Sequence, residues 1–339
     1  MTEVVAPRPP VTGPTTATEL AAAIEIAAGV LGPLATRSYE LAPLTTYRVG
    51  GPAALFARVG SIADLQSVAA ARRASGLPVL VVGRGSNLLV ADGGFPGIAV
   101  SIAELGGSIE IGAVPDDPEA PVVVRAGGAV ALPVLARRTA AAGLTGFEWA
   151  VGVPGSIGGA VRMNAGGHGS DMAACLLDVD IVDLGAADPM PVTLAVGELG
   201  LRFRGSGLTD ERVVVAVRLG LRPGDREQAE ATISEIVRWR REHQPGGQNA
   251  GSVFVNPVPG EVSAGSLIDG LGLRGMRIGT AWVSEKHANF VQAADGGSAD
   301  DVRAVVDAVR TAVADATGFR LRSEVRLVGF DEADIEGSS

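Results

Sequence analysis

The chain has 339 residues, enough for two or three domains of ordinary size. Hydrophobic residues make up 47% of the sequence but aromatic residues only 4%, so we expect cores packed from aliphatic side chains. The net charge of −10 and the lack of a basic, aromatic-rich stripe argue against nucleic acid as a partner.

The cysteine and histidine content restricts the class of protein further. A single cysteine, Cys175, excludes an intramolecular disulfide and suits a reducing cytosol. His168, His243 and His287 lack the spacing of metal ligands, so we expect no metal site. No apolar run is as long as a membrane helix, and the first residues lack the pattern of a secretory signal. We therefore predict a cytoplasmic protein without a membrane partner, and we expect a monomer.

The first half of the chain mixes strands and helices, which indicates an α+β fold. Ser61, followed by Asp64 three residues later, is typical of a helix start, and Gly76 is typical of a helix end. Residues 1–17, rich in proline and threonine, are predicted to be disordered. The predicted strands here lie at 54–59, 78–82, 98–102 and 122–125, and the predicted helices at 19–30, 61–76 and 129–142.

A first glycine loop, G-R-G-S-N, follows the apolar strand at 78–82. Its backbone N–H groups and its serine and asparagine side chains suit a pyrophosphate. No third glycine opens a helix, and the chain returns to a strand at 88–90, so this is not a Rossmann fingerprint. The candidate contacts are Gly83, Arg84, Gly85, Ser86, Asn87 and Leu88.

A second and longer glycine-rich stretch runs from residue 148 to residue 169. Glycine has no Cβ, so it lets a large flat ligand approach the backbone, and Ser156 is predicted to cap a short helix that runs to about residue 161. Composition alone allows the stretch to be only a connection in a glycine-rich protein. The candidate contacts are Gly152, Pro154, Gly155, Ser156, Gly158, Gly159 and Asn164.

The rest of the chain adds strands and helices to the α+β pattern, and the segment 225–330 is predicted to be a separate small domain. Its first helix ends in a basic cluster that includes Arg240, which is either a ligand contact or a solvated helix end favoured by the helix dipole. A tail at 331–339 is predicted to be disordered. Strands are predicted at 179–184, 213–221, 276–283, 290–293 and 324–330, and helices at 227–241, at 267–271 and from Ser298 onward.

Four segments in this order resemble the UDP-N-acetylenolpyruvoylglucosamine reductase family, also called UDP-N-acetylmuramate dehydrogenase. They lie at 83–88, 152–169, 251–257 and 323–326, and the resemblance covers about residues 41 to 330. It implies an FAD-binding domain of the vanillyl-alcohol-oxidase (PCMH) type in two subdomains at 18–224, and a substrate-binding domain at 225–330. It also implies FAD and NADPH as cofactors and UDP-N-acetylglucosamine-enolpyruvate as the substrate, in peptidoglycan precursor synthesis.

The same resemblance implies three catalytic residues. Ser252 in G-S-V-F matches the serine that protonates the substrate, Glu324 in S-E-V-R matches the catalytic glutamate, and Arg204 in F-R-G-S matches the arginine beside the enolpyruvyl group. Three positions depart from the family pattern: Phe203 precedes the arginine where tyrosine is common, Leu44 stands where the family has asparagine before a threonine, and His168 replaces a tyrosine.

The chain resembles the shorter subtype of the family, because it has no tyrosine after Tyr47 to hold the substrate diphosphate. Arg240, His243 and Asn256 are the predicted substrate contacts instead. Two other functions stay open on sequence grounds. One is an FAD-dependent oxidase or dehydrogenase of an alcohol or hydroxy acid on the same fold, and the other is a flavin- or nucleotide-binding module without catalysis.

Overall fold

The computed structural model describes residues 13–14, 16–117 and 119–330. Residues 1–12 and 331–339, which contain most of the two segments predicted to be disordered, lie outside the described residues. The first helix begins at Ala17, two residues before the predicted start at residue 19, because Thr16 caps it through reciprocal hydrogen bonds with Glu19.

The first unit is a four-stranded sheet, ordered β1-β2-β5-β3, with two helices. Strands β2, β5 and β3 are parallel and β1 is antiparallel. Ser61 and Asp64 form the predicted capping box. The helices of this unit are α1 (Ala17–Leu31) and α2 (Ile62–Ser75), and its strands are β1 (Ala35–Glu40), β2 (Pro52–Arg58), β3 (Val79–Val81), β4 (Leu88–Val90) and β5 (Phe95–Ser101).

Helix α1 contradicts the prediction that no apolar run is as long as a membrane helix. The segment Ala17–Leu34 is long and apolar enough to cross a membrane when only length and composition are counted. One face of α1 nevertheless packs into the core of the first unit, where Ala23, Ala27 and Leu31 are buried. The helix thus contributes to the packing of this unit.

The second unit is an antiparallel sheet ordered β12-β11-β13-β7-β6, with β8 pairing the end of β13. The three strands predicted at 122–125, 179–184 and 213–221 are its central members β7, β11 and β13. The strands are β6 (Ile109–Ile111), β7 (Val122–Gly127), β8 (Leu144–Thr145), β9 (Gly166–Gly167), β10 (Ser170–Asp171), β11 (Leu176–Asp183), β12 (Pro191–Ala195) and β13 (Arg212–Pro223), and the helices are α3 (Leu132–Ala141), α4 (Ile157–Met163) and α5 (Arg226–His243).

Helix α5 packs on the second unit. Its buried residues Ala229, Ile233 and Ile236 belong to the same core as α3 and the short 3₁₀ helix Glu148–Gly152. The sequence analysis assigned this helix to the domain that begins at residue 225. Its apolar face packs instead against residues that come earlier in the chain.

The third unit is a three-stranded antiparallel sheet, β14-β15-β16, covered by helix α7. The valines of α7 lie on one face and are buried, as their spacing predicted. The strand predicted at 276–283 is in fact two strands, because the chain turns at Gly279, where φ is +52°. The elements are α6 (Ala264–Gly270), β14 (Arg277–Ile278), β15 (Ala281–Val283), β16 (Val291–Ala293), α7 (Ala299–Thr317) and β17 (Arg326–Val328).

Two contacts fasten the third unit to the first. Strand β17 pairs in parallel with β4, with Arg326 opposite Leu88. The carboxylate of Asp92 accepts hydrogen bonds from Ser298, the N-cap of α7, and from the N–H of Ala299, so a residue of the first unit supports the start of α7. Since β4 follows the first glycine loop, the β4–β17 pairing brings residue 324 beside that loop.

Candidate active site

A cavity of about 690 Å³ is lined by residues of all three units. Its size falls within the range of sites that bind cofactors and other small ligands. Both glycine-rich stretches line it, and so do Ser252, Arg204 and Glu324. The predicted cofactor and catalytic residues therefore meet at one place, although more than 200 residues separate the first loop from Glu324.

The two glycine loops contact each other along the cavity wall. A Cβ on Gly83 would lie 2.4 Å from the hydroxyl oxygen of Ser156, and a Cβ on Gly155 would lie 3.4 Å from that of Ser86. At Gly85 the φ angle is +58° and a Cβ would lie 2.2 Å from the carbonyl oxygen of Leu44. Glycine is thus required at residue 85, where a Cβ would meet the backbone of Leu44, whereas at residue 83 the close atom is a side-chain hydroxyl of the second loop.

The cavity wall fits a large flat cofactor. A Cβ on Gly167 or on Gly251 would meet no atom within 4 Å, so open space lies beside the backbone at both positions. The buried indole N–H of Trp149, another lining residue, has no hydrogen-bond partner within the described part of the chain. Glycine backbone and an unused donor suit the flavin of FAD.

Arg204 and Glu324 form an ion pair inside the cavity. The Nε of Arg204 lies 2.8 Å from the Oε1 of Glu324, and the two side chains are 23% and 21% exposed. Arg204 also donates from Nη2 to the carbonyl oxygen of Gly166 at 3.1 Å. Burial raises the pKa of Glu324, and the positive charges of Arg204 and Arg322 offset part of that effect.

A tight turn presents Arg204 to its partner. Backbone hydrogen bonds of 2.9 and 3.1 Å between Arg202 and Gly205 close the turn. Arg204 has φ of +55°, a conformation that is unfavourable for a residue with a side chain. Such strain persists only where the surroundings enforce it, and it is common at functional sites.

The backbone beside Ser252 is held on two sides. The N–H of Glu324 donates to the carbonyl oxygen of Val253 at 2.7 Å, which joins the serine segment to the glutamate. On the other side the buried Asn289 accepts from the N–H of Phe254 and donates to its carbonyl oxygen. Asn87 of the first glycine loop donates to the carbonyl oxygen of Glu324 at 3.0 Å. The first glycine loop and the segments that contain Ser252 and Glu324 therefore form one connected network.

Comparison with known proteins identifies this arrangement. The family model for the C-terminal domain of UDP-N-acetylenolpyruvoylglucosamine reductase matches residues 243–328, and a model for an FAD-binding domain matches residues 53–186. The UDP-N-acetylenolpyruvoylglucosamine reductase of Heliobacterium modesticaldum is 43% identical over 296 residues, which cover 86% of this chain and 90% of the relative. The chain belongs to this reductase family.

Further relatives agree with the assignment to the UDP-N-acetylenolpyruvoylglucosamine reductases. The reductase of Synechococcus sp. WH7803 is also 43% identical, over 87% of this chain and 93% of its own length. The crystal structure of the reductase from Thermus caldophilus superposes with a TM-score of 0.71 at 33% identity, over 87% of this chain and 98% of that one. The predicted fold class, the reductase activity and the FAD cofactor are confirmed, and the FAD-dependent oxidase alternative is not favoured.

Four residues predicted as site members do not line the reductase cavity. Asn164 is 4% exposed, and its amide is fully used within the second unit. Its Nδ2 donates to Asp171 at 3.1 Å and to the carbonyl oxygen of Arg202 at 3.2 Å, and its Oδ1 accepts from the N–H of Ala173. Gly158 packs against the backbone of Gly128 instead of facing the cavity.

The other two predicted residues that lie outside the cavity are His243 and Asn256. His243 donates from Nδ1 to the carbonyl oxygen of Trp239 at 2.7 Å. Asn256 accepts from the N–H of Ala264, the first residue of helix α6, at 3.0 Å, so its amide oxygen is already used within the fold. Arg240 does line the cavity, and Gln244 holds its Nε at 2.8 Å. Burial lowers the pKa of the Arg240 guanidinium.

Sequence reasoning missed several residues of the reductase cavity. Trp239 lines it from helix α5, and Phe290 lines it from the third unit. Asn289, which holds the serine segment, was also missed. A tryptophan within a basic helix end was an available signal for Trp239. The sequence around Asn289 contains no comparable signal, because the importance of that residue depends on a partner 35 positions away.

Proposed function

We propose that Ser252, Arg204 and Glu324 carry out the reduction of UDP-N-acetylglucosamine-enolpyruvate to UDP-N-acetylmuramate. The observation that carries the proposal is the Arg204–Glu324 ion pair, which lies in the same cavity as Ser252 and both glycine loops. FAD, when bound, supplies a hydride that it has taken from NADPH.

Arg204 has the charge that the substrate requires. Addition of a hydride to the terminal carbon of the enol ether places negative charge on the carboxylate conjugated with the double bond. A guanidinium next to that carboxylate stabilises the charge as it develops. Glu324 holds the guanidinium in place through the 2.8 Å ion pair, so Arg204 does not have to be ordered during the reaction.

Ser252 completes the reduction as the proton donor. The carbon that bears the carboxylate must gain a proton after the hydride has been added. Ser252 lines the same cavity as the ion pair, and its hydroxyl can supply that proton. The hydride and the proton together reduce the carbon–carbon double bond to a single bond, which balances the reaction.

The two glycine loops are the proposed FAD contacts, through Gly83–Asn87 and the 152–156 turn. Arg240, whose side chain lies beside Gly152 in the same cavity, is the proposed contact of the substrate diphosphate. For the domain organisation, we place the start of the substrate-binding domain after α5, because that helix packs on the second unit. Cytoplasmic location and a monomeric state complete the proposal.

A spectrum of the purified protein tests this function. NADPH should bleach the flavin absorbance, and UDP-N-acetylglucosamine-enolpyruvate should restore it under argon. Because both substrates use one cavity, steady-state kinetics should follow a ping-pong scheme with parallel double-reciprocal lines. Flavin that stays reduced after the enol ether is added would contradict the proposed function.

A further inference from the structure

Trp239 is an exposed aromatic residue in the wall of the catalytic cavity. Its side chain is 43% exposed, although a large apolar ring normally packs inside. Val237 on the same helix is 41% exposed but does not line the cavity. The indole is therefore available to a ligand in the cavity, and Val237 provides a matched position outside it.

Two histidines hold the indole in place. His243 stacks on it with ring centroids 4.8 Å apart and ring planes inclined by 15°, and it is fixed by its hydrogen bond to the Trp239 carbonyl. His168 meets it edge to face, with centroids 5.2 Å apart. Because His243 does not line the cavity, it supports the ring from outside. A ring that is already ordered loses little side-chain entropy when a ligand stacks on it.

A half-buried cation, Arg240, lies one residue along the chain. Arg240 lines the same cavity, and its Nε is occupied by Gln244, which leaves the terminal nitrogens for an anion. A Cβ on Gly152 would lie 3.4 Å from the His168 ring and 3.5 Å from the Arg240 side chain, so these groups form one corner of the cavity. A flat aromatic wall next to a guanidinium matches a nucleotide, with a planar base beside a diphosphate.

We propose that Trp239 stacks on the uracil ring of the uridine diphosphate substrate while Arg240 binds the diphosphate. This inference rests on the proposed function, because it concerns the substrate of that same site. The nicotinamide of NADPH is a poorer occupant, since it must lie on the flavin to deliver its hydride. The uracil is joined to the reacting group through a diphosphate and one sugar, so it has to lie within reach of the same cavity. In this arrangement His243 and His168 are positioning residues.

Titration of UDP into the FAD-loaded enzyme, followed by calorimetry, tests the inference. Trp239→Ala should weaken UDP binding by about 5- to 150-fold, as removal of a base-stacking aromatic does elsewhere. Trp239→Phe should retain most of the affinity, whereas Trp239→Leu, which keeps apolar bulk without a ring, should not. Val237→Ala should bind UDP like the parent. His243→Ala should give an intermediate loss with unchanged FAD content.

Two kinds of binding result would overturn the inference. Parent-like UDP affinity in Trp239→Ala or in Trp239→Leu would exclude stacking. Loss of NADP⁺ binding with unchanged UDP binding would assign the indole to the adenine of the other substrate instead. These titrations need no turnover, so they are independent of the flavin assay. A parent enzyme that binds UDP through Trp239 but never reoxidises with the enol ether would contradict the proposed function alone.

Discussion

Replacement of Ser252 by alanine should separate catalysis from stability. The change removes one hydroxyl, and within the described part of the chain that hydroxyl makes no hydrogen bond. The segment is held instead by backbone bonds, from Glu324 to Val253 and from Val253 to the carbonyl oxygen of Asn289. The free energy of unfolding should therefore change by no more than about 0.5 kcal/mol.

The effect on the reaction should be much larger. Loss of a general acid lowers a rate by about 10²- to 10⁴-fold, which corresponds to roughly 3–5 kcal/mol of activation free energy. The loss should be confined to the second half-reaction, because reduction of FAD by NADPH requires no proton from Ser252. A thiol is also a donor, so Ser252→Cys should keep part of the activity.

Stopped-flow absorbance measures the two half-reactions separately. Flavin bleaching by NADPH should match the parent, and reoxidation by the enol ether should be slow. Ser263→Ala is the matched control, because Ser263 accepts from the N–H of Ser266 at 3.0 Å and caps α6 outside the cavity. It should lower stability by about 1 kcal/mol and leave both half-reactions intact. Reoxidation of Ser252→Ala at the parent rate would refute the proton-donor role.

Three other variants test the structural account of the site. Asn164→Ala removes the hydrogen bond to the Arg202 carbonyl that supports the Arg204 turn. Reoxidation of the flavin by the enol ether should therefore slow while the content of bound FAD stays constant. A matching loss of FAD would instead indicate that Asn164 contributes to the cofactor site. Asp92→Ala leaves the Ser298 cap of α7 in place but removes the carboxylate that accepts from Ser298 and from the N–H of Ala299, so it should cost about 2 kcal/mol of unfolding free energy. Denaturant titration measures this cost, and an unchanged midpoint would be the contrary result. Burial raises the pKa of Glu324, so the folded protein keeps a proton on this carboxyl at a pH where the unfolded chain has released it. The stability that this proton contributes is present below about pH 4 and is lost as the pH rises through the raised pKa. The melting temperature of the parent minus that of Glu324→Gln should therefore fall over this range, and a rise would contradict the sign.

Local patterns were sufficient to predict most elements and the family. The capping box at Ser61, the valine face of α7 and the strands around the first glycine loop depend on residues a few positions apart. The three residues proposed as catalytic were also recognised from short motifs. These features are local because hydrogen-bond caps and helix periodicity are set within a few turns of the chain.

Long-range packing decided the remaining features. The sequence of α5 shows an amphipathic helix, but only the core formed with α3 determines that it belongs to the second unit. Asn164 and Asn256 look like ligand contacts in sequence, whereas in the fold their amides are used by backbone groups that come near only after folding.

The position of Trp239 depends on the same long-range packing. Three buried residues of α5 fix the rotation of that helix, and the rotation turns Trp239 and Arg240 toward the cavity and leaves His243 outside it. The residue types were therefore available from the sequence alone. Tertiary structure decided which of them face the cavity. A side chain can bind a ligand only when its polar atoms are not already hydrogen-bonded within the fold and its surface is not already covered by other residues.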